Sequence, residues 1–356
     1  MTAKAEWYPP HVRVFCSEVG EGVTPADFYS WFSSGRITLT PAFGVDELRA
    51  FNEALPIPYN HVELTFETPC AACDVSFLTS VKTLNVKNFE GRTLTVPTGV
   101  VGLRLDERSE RVTVSGTENL TSLNVNHLDM ANQTTTTTPC PKLRQLRWNG
   151  ETLGDETLPC PVSDLTTLSA MTVAVNHVDP AFRFPPLLHS LGLQVLDGSV
   201  DVAQLTPLTR LQELDINTDA SKDPLDLSGM TTLTTLNARS SPVTRLPASL
   251  VTCNVTLWLH ADLSPLTSLT SLTALVKLGV NVTFPTGLKA LCFLGQDLSR
   301  TNIGDVALET FRSGRTDSRI EADDLNHLPK TLTRIDGYVW GEWLSEYIRK
   351  SFPLIQ

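Results

Sequence analysis

The sequence predicts a solenoid of parallel strands, α/β-type or mostly β, in which each coil adds one strand to a continuous sheet. The first observation is a phrase, apolar–Pro–x–x–apolar–x–x–apolar–x–apolar, that returns with its own turn residue. It stands at Val96-Pro97…Val100…Leu103-Arg104-Leu105, at Phe184-Pro185…Leu188…Leu191-Gly192-Leu193 and at Phe284-Pro285…Leu288…Leu291-Cys292-Phe293. Shorter copies stand at Leu246-Pro247…Leu250…Cys253-Asn254-Val255 and at Leu328-Pro329…Leu332…Ile335. The second observation is the period. The core phrase also occurs without proline, and its middle anchors fall at 64, 84, 103, 123, 146, 171, 191, 214, 236 and 253. The steps are 20, 19, 20, 23, 25, 20, 23, 22 and 17 residues. A fixed period of this length marks stacked units, none of which can bury its apolar face alone.

Each part of the phrase has a physical role. The x-L-x-L segment alternates as a strand with one buried face. The preceding L-x-x-L step carries the chain out of a turn and into that strand. Proline has no N–H to donate to a ladder, so it belongs in the incoming turn. The chain then divides into residues 1–60 as an N-terminal cap with short helices, 61–338 as a solenoid of about 12–13 coils, and 339–356 as a capping helix. In the first part, Thr24-Pro25-Ala26-Asp27 has the form of a helix start, and a second short helix is expected from Asp46 to Leu55 on Leu48, Phe51 and Leu55. In the last part, Trp340, Trp343, Leu344, Tyr347, Ile348 and Phe352 form the stripe of an amphipathic helix. Helical caps at both ends would shield the terminal coils.

These phrases resemble the leucine-rich repeat family over residues 60–340, and the L-P-x-x-L opening resembles the short repeats of some bacterial effectors and of FNIP-type proteins. The resemblance implies a horseshoe with a parallel sheet on its concave face and a role in binding proteins. One position departs from the family, which places Asn or Cys five residues after the middle leucine. Here Phe89, Arg108, Leu128, Glu151, Leu196 and Asp219 stand there, with Asn only at Asn176. Irregular turns are expected as a result.

A net charge of −11 argues against nucleic acid, whose binding needs clustered Lys and Arg. No apolar run suits a membrane span; the Leu-rich stretch 263–282 carries Ser, Thr and Lys277. Without a leader-like N-terminus, and with seven cysteines, a cytoplasmic protein is expected. Thr134–Thr138 is expected as a polar loop within one repeat.

Chemistry-bearing residues are sparse. Cys70-Ala71-Ala72-Cys73 supplies half of a zinc site and has no second pair, so neither a metal nor another cofactor is expected. Cys140 and Cys160 each sit in Pro-Cys-Pro, 20 residues apart, and are expected to stack on neighbouring coils. His127 and His177 are expected as turn residues just past their strands. The catalytic motifs of esterases, nucleotide-binding loops and zinc proteases are absent, so the chain is expected not to be an enzyme.

The candidate site lies on the outward residues of the strands, which alternate with the leucine anchors. Arg104, Asn124, Asn126, Arg147, Asn149, Asp215, Asn217 and Arg239 are the expected partner-binding residues, with the three arginines as anchors. The leading expectation is a non-catalytic scaffold or adaptor that binds a protein partner on the concave face. The alternatives are a structural subunit of a larger assembly and a parallel β-helix acting on polysaccharide. A single strand per coil argues against the last.

Overall fold

The leucine anchors become rows because alternate residues of parallel strands face the same side. A computed structural model describes residues 36–39, 44–54 and 59–336, with gaps at 68, 108–110, 128–132, 138, 155–156, 161–164, 199, 219–223, 258–259, 278, 295–297 and 314–325. The chain forms two compact units, Met1–Leu187 and Leu188–Gln356. In the first, the principal sheet runs in chain order through Arg36–Leu39, His61–Phe66, Thr83–Phe89, Gly102–Glu107, Ser122–His127, Gln145–Leu153 and Ala170–Val178. Every neighbouring pair is parallel. The second unit repeats the plan with Ser190–Val195, Glu213–Asn217, Thr235–Arg245, Thr252–Leu257, Ser271–Val276, Ala290–Phe293, Thr310–Ser313 and Arg334–Asp336.

Register converts the repeat into a core. In the first unit Val62, Leu84, Leu103, Leu123, Leu146 and Met171 are successive cross-strand partners, and all are buried. In the second, Leu191, Leu214, Leu236, Cys253, Leu272, Leu291 and Phe311 form the equivalent buried row. Burying each large aliphatic side chain contributes roughly 1.5–3 kcal/mol. Cys253 stands in a leucine position as a small apolar residue, and burial pushes its thiol up to about 12.

The turn into most strands of the principal sheet is closed by one backbone hydrogen bond. Val100, Leu250 and Leu288 donate to the carbonyls of Pro97, Pro247 and Pro285, so proline acts there as acceptor only. Where proline is missing, the same bond joins Leu120 to Thr117, Leu143 to Cys140 and Leu168 to Leu165. Several other turns use Asp-x-Ser. Asp226 Oδ1 accepts from the N–H and hydroxyl of Ser228 at 3.0 and 2.6 Å, and Asp262 does the same for Ser264.

Coil joins coil through a column of shared carbonyls just before the strands. The N–H groups of Thr121 and Ser122 both donate to Val101 O, those of Arg144 and Gln145 to Thr121 O, and those of Ser169 and Ala170 to Arg144 O. The pattern continues in the second unit, where Thr234 and Thr235 share Gln212 O and Thr270 and Ser271 share Val251 O. Hydroxyls of Thr121, Ser169, Thr234, Thr270 and Thr333 add a further donor to the same carbonyls. The Thr and Ser of this chain thus reinforce the entry side of the strands, whereas the asparagine position lies past them.

Several expectations are corrected. Residues 133–136 are a strand, not a loop: Ala72–Asp74, Thr93–Thr95, Arg111–Ser115 and Gln133–Thr136 make a second parallel sheet. Coils there carry two strands, because a β-branched alternation such as Val112-Thr113-Val114 suits a second half-buried strand. Cys140 and Cys160 are both buried on adjacent coils, where the N–H of Thr136 donates to Pro159 O, but they are not aligned residue for residue. The coil between Gln145 and its partner Ala170 is 25 residues long, so Cys140 aligns through its turn bond with Thr117 and Leu165. His127 and His177 lie within strands, His177 pairing with Thr152, because the strands extend further than the x-L-x-L core. The principal sheet also begins at Arg36–Leu39, before the first expected strand near residue 62.

The helix expected at Asp46–Leu55 is observed as Val45–Ala54, with Leu48 buried. Arg49 ties it to the next coil, donating to Asp74 Oδ2 at 3.0 Å and lying 4.6 Å over the Phe77 ring. The Thr24–Asp27 helix start and the 339–356 helix lie outside the described residues.

Candidate functional site

On the outer side of the first unit's principal sheet, alternation places Glu63, Asn85, Arg104, Asn124, Arg147 and Thr172 in one cross-strand row. Two residues further along each strand, Thr65, Lys87, Asp106 and Asn126 form the next row. Five of the eight expected site residues belong to this unit: the two rows hold Arg104, Asn124, Asn126 and Arg147, and Asn149 joins them through its hydrogen bond to Asn126.

Their hydrogen bonds form a ladder across the strands. Asp106 Oδ1 accepts from Arg104 Nε and from Asn126 Nδ2, each at 3.3 Å, and Asn126 Oδ1 accepts from Asn149 Nδ2 at 3.2 Å. Upstream, the largely covered carboxylate of Glu63 accepts from Asn85 Nδ2 at 3.0 Å and pairs with Lys87 Nζ at 2.9 Å and Arg36 Nε at 3.7 Å. The ladder places a carboxylate at its head and amides behind it, each amide donating toward the preceding coil. Charge-assisted bonds hold that end firmly. The Oδ1 atoms of Asn85 and Asn124 are buried with no hydrogen-bond partner among the described residues.

The second unit repeats the device with different residues. Asn237 Nδ2 donates to Asp215 Oδ1 at 3.0 Å, Asn254 Nδ2 to Asn237 Oδ1 at 2.9 Å, and Arg239 Nε to Asn254 Oδ1 at 2.9 Å. Asp215 and Arg239 are thus linked through two asparagines. Asn217 is exposed beside them, in register with Gln194.

The three arginines expected as anchors differ in their commitments. Arg104 is held by Asp106 and Arg239 by Asn254, whereas exposed Arg147 makes no ion pair or hydrogen bond among the described residues. Asp106, Asn237 and Asn254 were not among the expected site residues, though they complete the ladders. Their signal was available: each stands at the outward strand position that the alternation defines.

The cysteine pair offers little chemistry. Cys73 is buried in its strand, and burial pushes its thiol up to about 12, with smaller contributions from Cys70 and Asp74. Cys70 Sγ contacts Ala72 O at 2.9 Å. Among the described residues no group of three or more His, Cys, Asp or Glu is placed to hold a metal. None of the described helices is long and apolar enough to cross a membrane.

No family model matches the chain, and no curated protein matches it. Among solved structures it is similar to a leucine-rich-repeat protein of Leptospira interrogans, at 17% identity and a TM-score of 0.52, over 93% of this chain and 85% of that one. It also matches CroV588, described as a circular leucine-rich-repeat protein, at 16% identity and a TM-score of 0.44, over 85% of this chain and 52% of that one. A third match is the functional domain of InlJ from Listeria monocytogenes, which includes a cysteine ladder, at 16% identity and a TM-score of 0.40, over 76% of this chain and 68% of that one. The stacked parallel strands, the turn-entry phrase and the likeness to the Leptospira protein together establish that the chain has the leucine-rich-repeat fold.

Proposed function

We propose that the chain is a non-catalytic recognition module that binds a protein partner on the outer face of its principal sheet, the face expected to be concave. The leucine-rich-repeat fold is typical of protein-interaction scaffolds. The observation that carries the reading is the organisation of this face: carboxylate–amide ladders fix short polar side chains in register, and an exposed arginine stands among them. Such fixed polar groups lose little conformational freedom on binding. A reducing compartment such as the cytoplasm suits the buried thiols of Cys73 and Cys253.

The test is affinity purification with the wild-type chain, followed by titration of the partner it captures against sheet-face variants. Replacing Arg104 and Arg147 together by alanine is expected to weaken binding about ten-fold or more. Arg92→Ala, beside the second sheet of the same unit, serves as the control and is expected to bind as wild type. Loss in the control alone would place the functional surface on the other side.

A further inference from the structure

We infer that the outer row centred on Arg147 is a seat for the carboxylate of an acidic side chain, presented by an extended segment of a protein partner. This deepens the proposed function and rests on it. Arg147 is exposed and unpaired among the described residues, whereas Arg104 on the same row is held by Asp106. Its cross-strand neighbours are Asn124 and Thr172, and the outward residues diagonal to it are Ser122, Asn126, Ala170 and Ala174. None of these is charged. Arg144, where the chain enters the same strand, is likewise exposed and makes no ion pair among the described residues. In a chain of net charge −11, two unneutralised guanidinium groups, one on this strand and one just before it, are a local concentration of positive charge. The complementary ligand is an anion.

The kind of anion follows from the surroundings. A guanidinium presents a planar fork that matches a carboxylate through two parallel hydrogen bonds. On the 170–178 strand next to Arg147, Ala170, Thr172 and Ala174 provide a low floor on which an extended backbone can lie. Asn124 supplies the second observation. Its Oδ1 is buried without a donor among the described residues, on the strand that separates Arg104 from Arg147. A buried acceptor lacking its donor is unfavourable to leave unmet. An acidic residue in a peptide carries an amide N–H close to its carboxylate, so one ligand residue can engage the arginine and offer a donor that the Asn124 amide meets by rotating outward. Arg104 and Arg147 stand two strand spacings apart, about 9–10 Å, which leaves room for that residue between them.

The experiment uses the full chain and an array of ten-residue peptides with amidated C-termini. Each peptide carries one central Asp or Glu and is paired with its Asn or Gln counterpart. A further set carries only a free C-terminal carboxylate. The wild type is expected to select internal acidic peptides over their amide counterparts. Arg147→Gln is expected to lose about ten-fold or more, while Arg104→Gln, already committed to Asp106, should lose less than about three-fold. Arg147→Lys should retain part of the binding, because it keeps the charge and loses the fork. Selection of neutral or basic peptides, selection of the C-terminal set alone, no selection at all, or unchanged binding by Arg147→Gln would each overturn the carboxylate seat. The captured natural partner separates this failure from that of the proposed function. If it is lost with a bulky Thr172→Trp yet retained by Arg147→Gln, the sheet face stands and the carboxylate seat falls. If it is unaffected by both and by Arg104→Gln, both readings fall.

Discussion

Gly116 holds φ at +85°, and a Cβ added there would lie 2.2 Å from the carbonyl oxygen of Val96. The residue thus meets two constraints at once, a left-handed backbone and a close approach between coils. Gly116→Ala is expected to destabilise the first unit by about 2 kcal/mol or more, measured by chemical denaturation; an unchanged midpoint would show that the neighbouring coil gives way freely. Asn88 meets the first constraint alone, with φ at 54°, which asparagine tolerates better than most residues. The register shift there delivers Phe89 to the interior, where the ring packs edge-on against Phe66 at 5.3 Å. At this scale legibility was uneven. Leucine anchors were readable because alternation and burial coincide. Phe89 was readable only as a departure from the family, since nothing local tells whether the last residue of the strand turns inward after a register shift. Leu196 occupies the equivalent place in its coil and is exposed. The commitment of Arg104 and the openness of Arg147 depend on which neighbours reach across, which register alone does not give.

At the scale of the turn, two sequence phrases act at successive steps of the approach to a strand: Asp-x-Ser comes first, and the turn bond made at proline, or at Met230 in the Asp226 coil, follows it. The proline form was legible because proline is conspicuous. The Asp-x-Ser form, at Asp74-Val75-Ser76, Asp226-Leu227-Ser228 and Asp262-Leu263-Ser264, passed unnoticed, yet it recurs at the same point before the strand. Both supply acceptors: a carbonyl in one case, a carboxylate in the other. The Ser228 hydroxyl and N–H hold the Asp226 carboxyl below the usual carboxylate range, with nearby Arg245 adding to the effect. Asp262 is lowered by Ser264 in the same way. Because the folded value lies below the unfolded one, about 3.9, the contribution is complete above that value and is lost as pH falls through the lowered folded value. Ser228→Ala is expected to raise the Asp226 midpoint toward its ordinary value while leaving Asp262 unmoved, as read by carboxyl-carbon NMR titration. An Asp226 midpoint that stays low in the variant would assign the effect to the backbone N–H of residue 228 and to Arg245, both of which the substitution leaves in place. The abundant threonine likewise looked like a property of composition. In the structure it is positional, since hydroxyls at Thr121, Thr234, Thr270 and Thr333 all bond the carbonyl column that joins coil to coil.

At the scale of the molecule, the repeat predicts how damage spreads. Each coil contacts its neighbours through a buried row, a strand pairing and the shared carbonyls, so stability is close to a sum of coil and interface contributions. Leu214 is buried between its register partners Leu191 and Leu236. Leu214→Asp places an unpaired carboxylate there, which costs several kcal/mol whether the group is buried ionised or takes up a proton. That exceeds what one coil can supply, and the coils on either side lose a packing face when it opens. Hydrogen exchange of the second unit is therefore expected to show protection lost most at Glu213–Asn217, then at Ser190–Val195 and Thr235–Arg245, and least at the distant Thr310–Ser313. Leu191→Asp should centre the same gradient on Ser190–Val195. Uniform loss across the unit would mean that it unfolds as one cooperative block. Retained protection at Glu213–Asn217 would show that the row tolerates a charge and that the inward register is wrong.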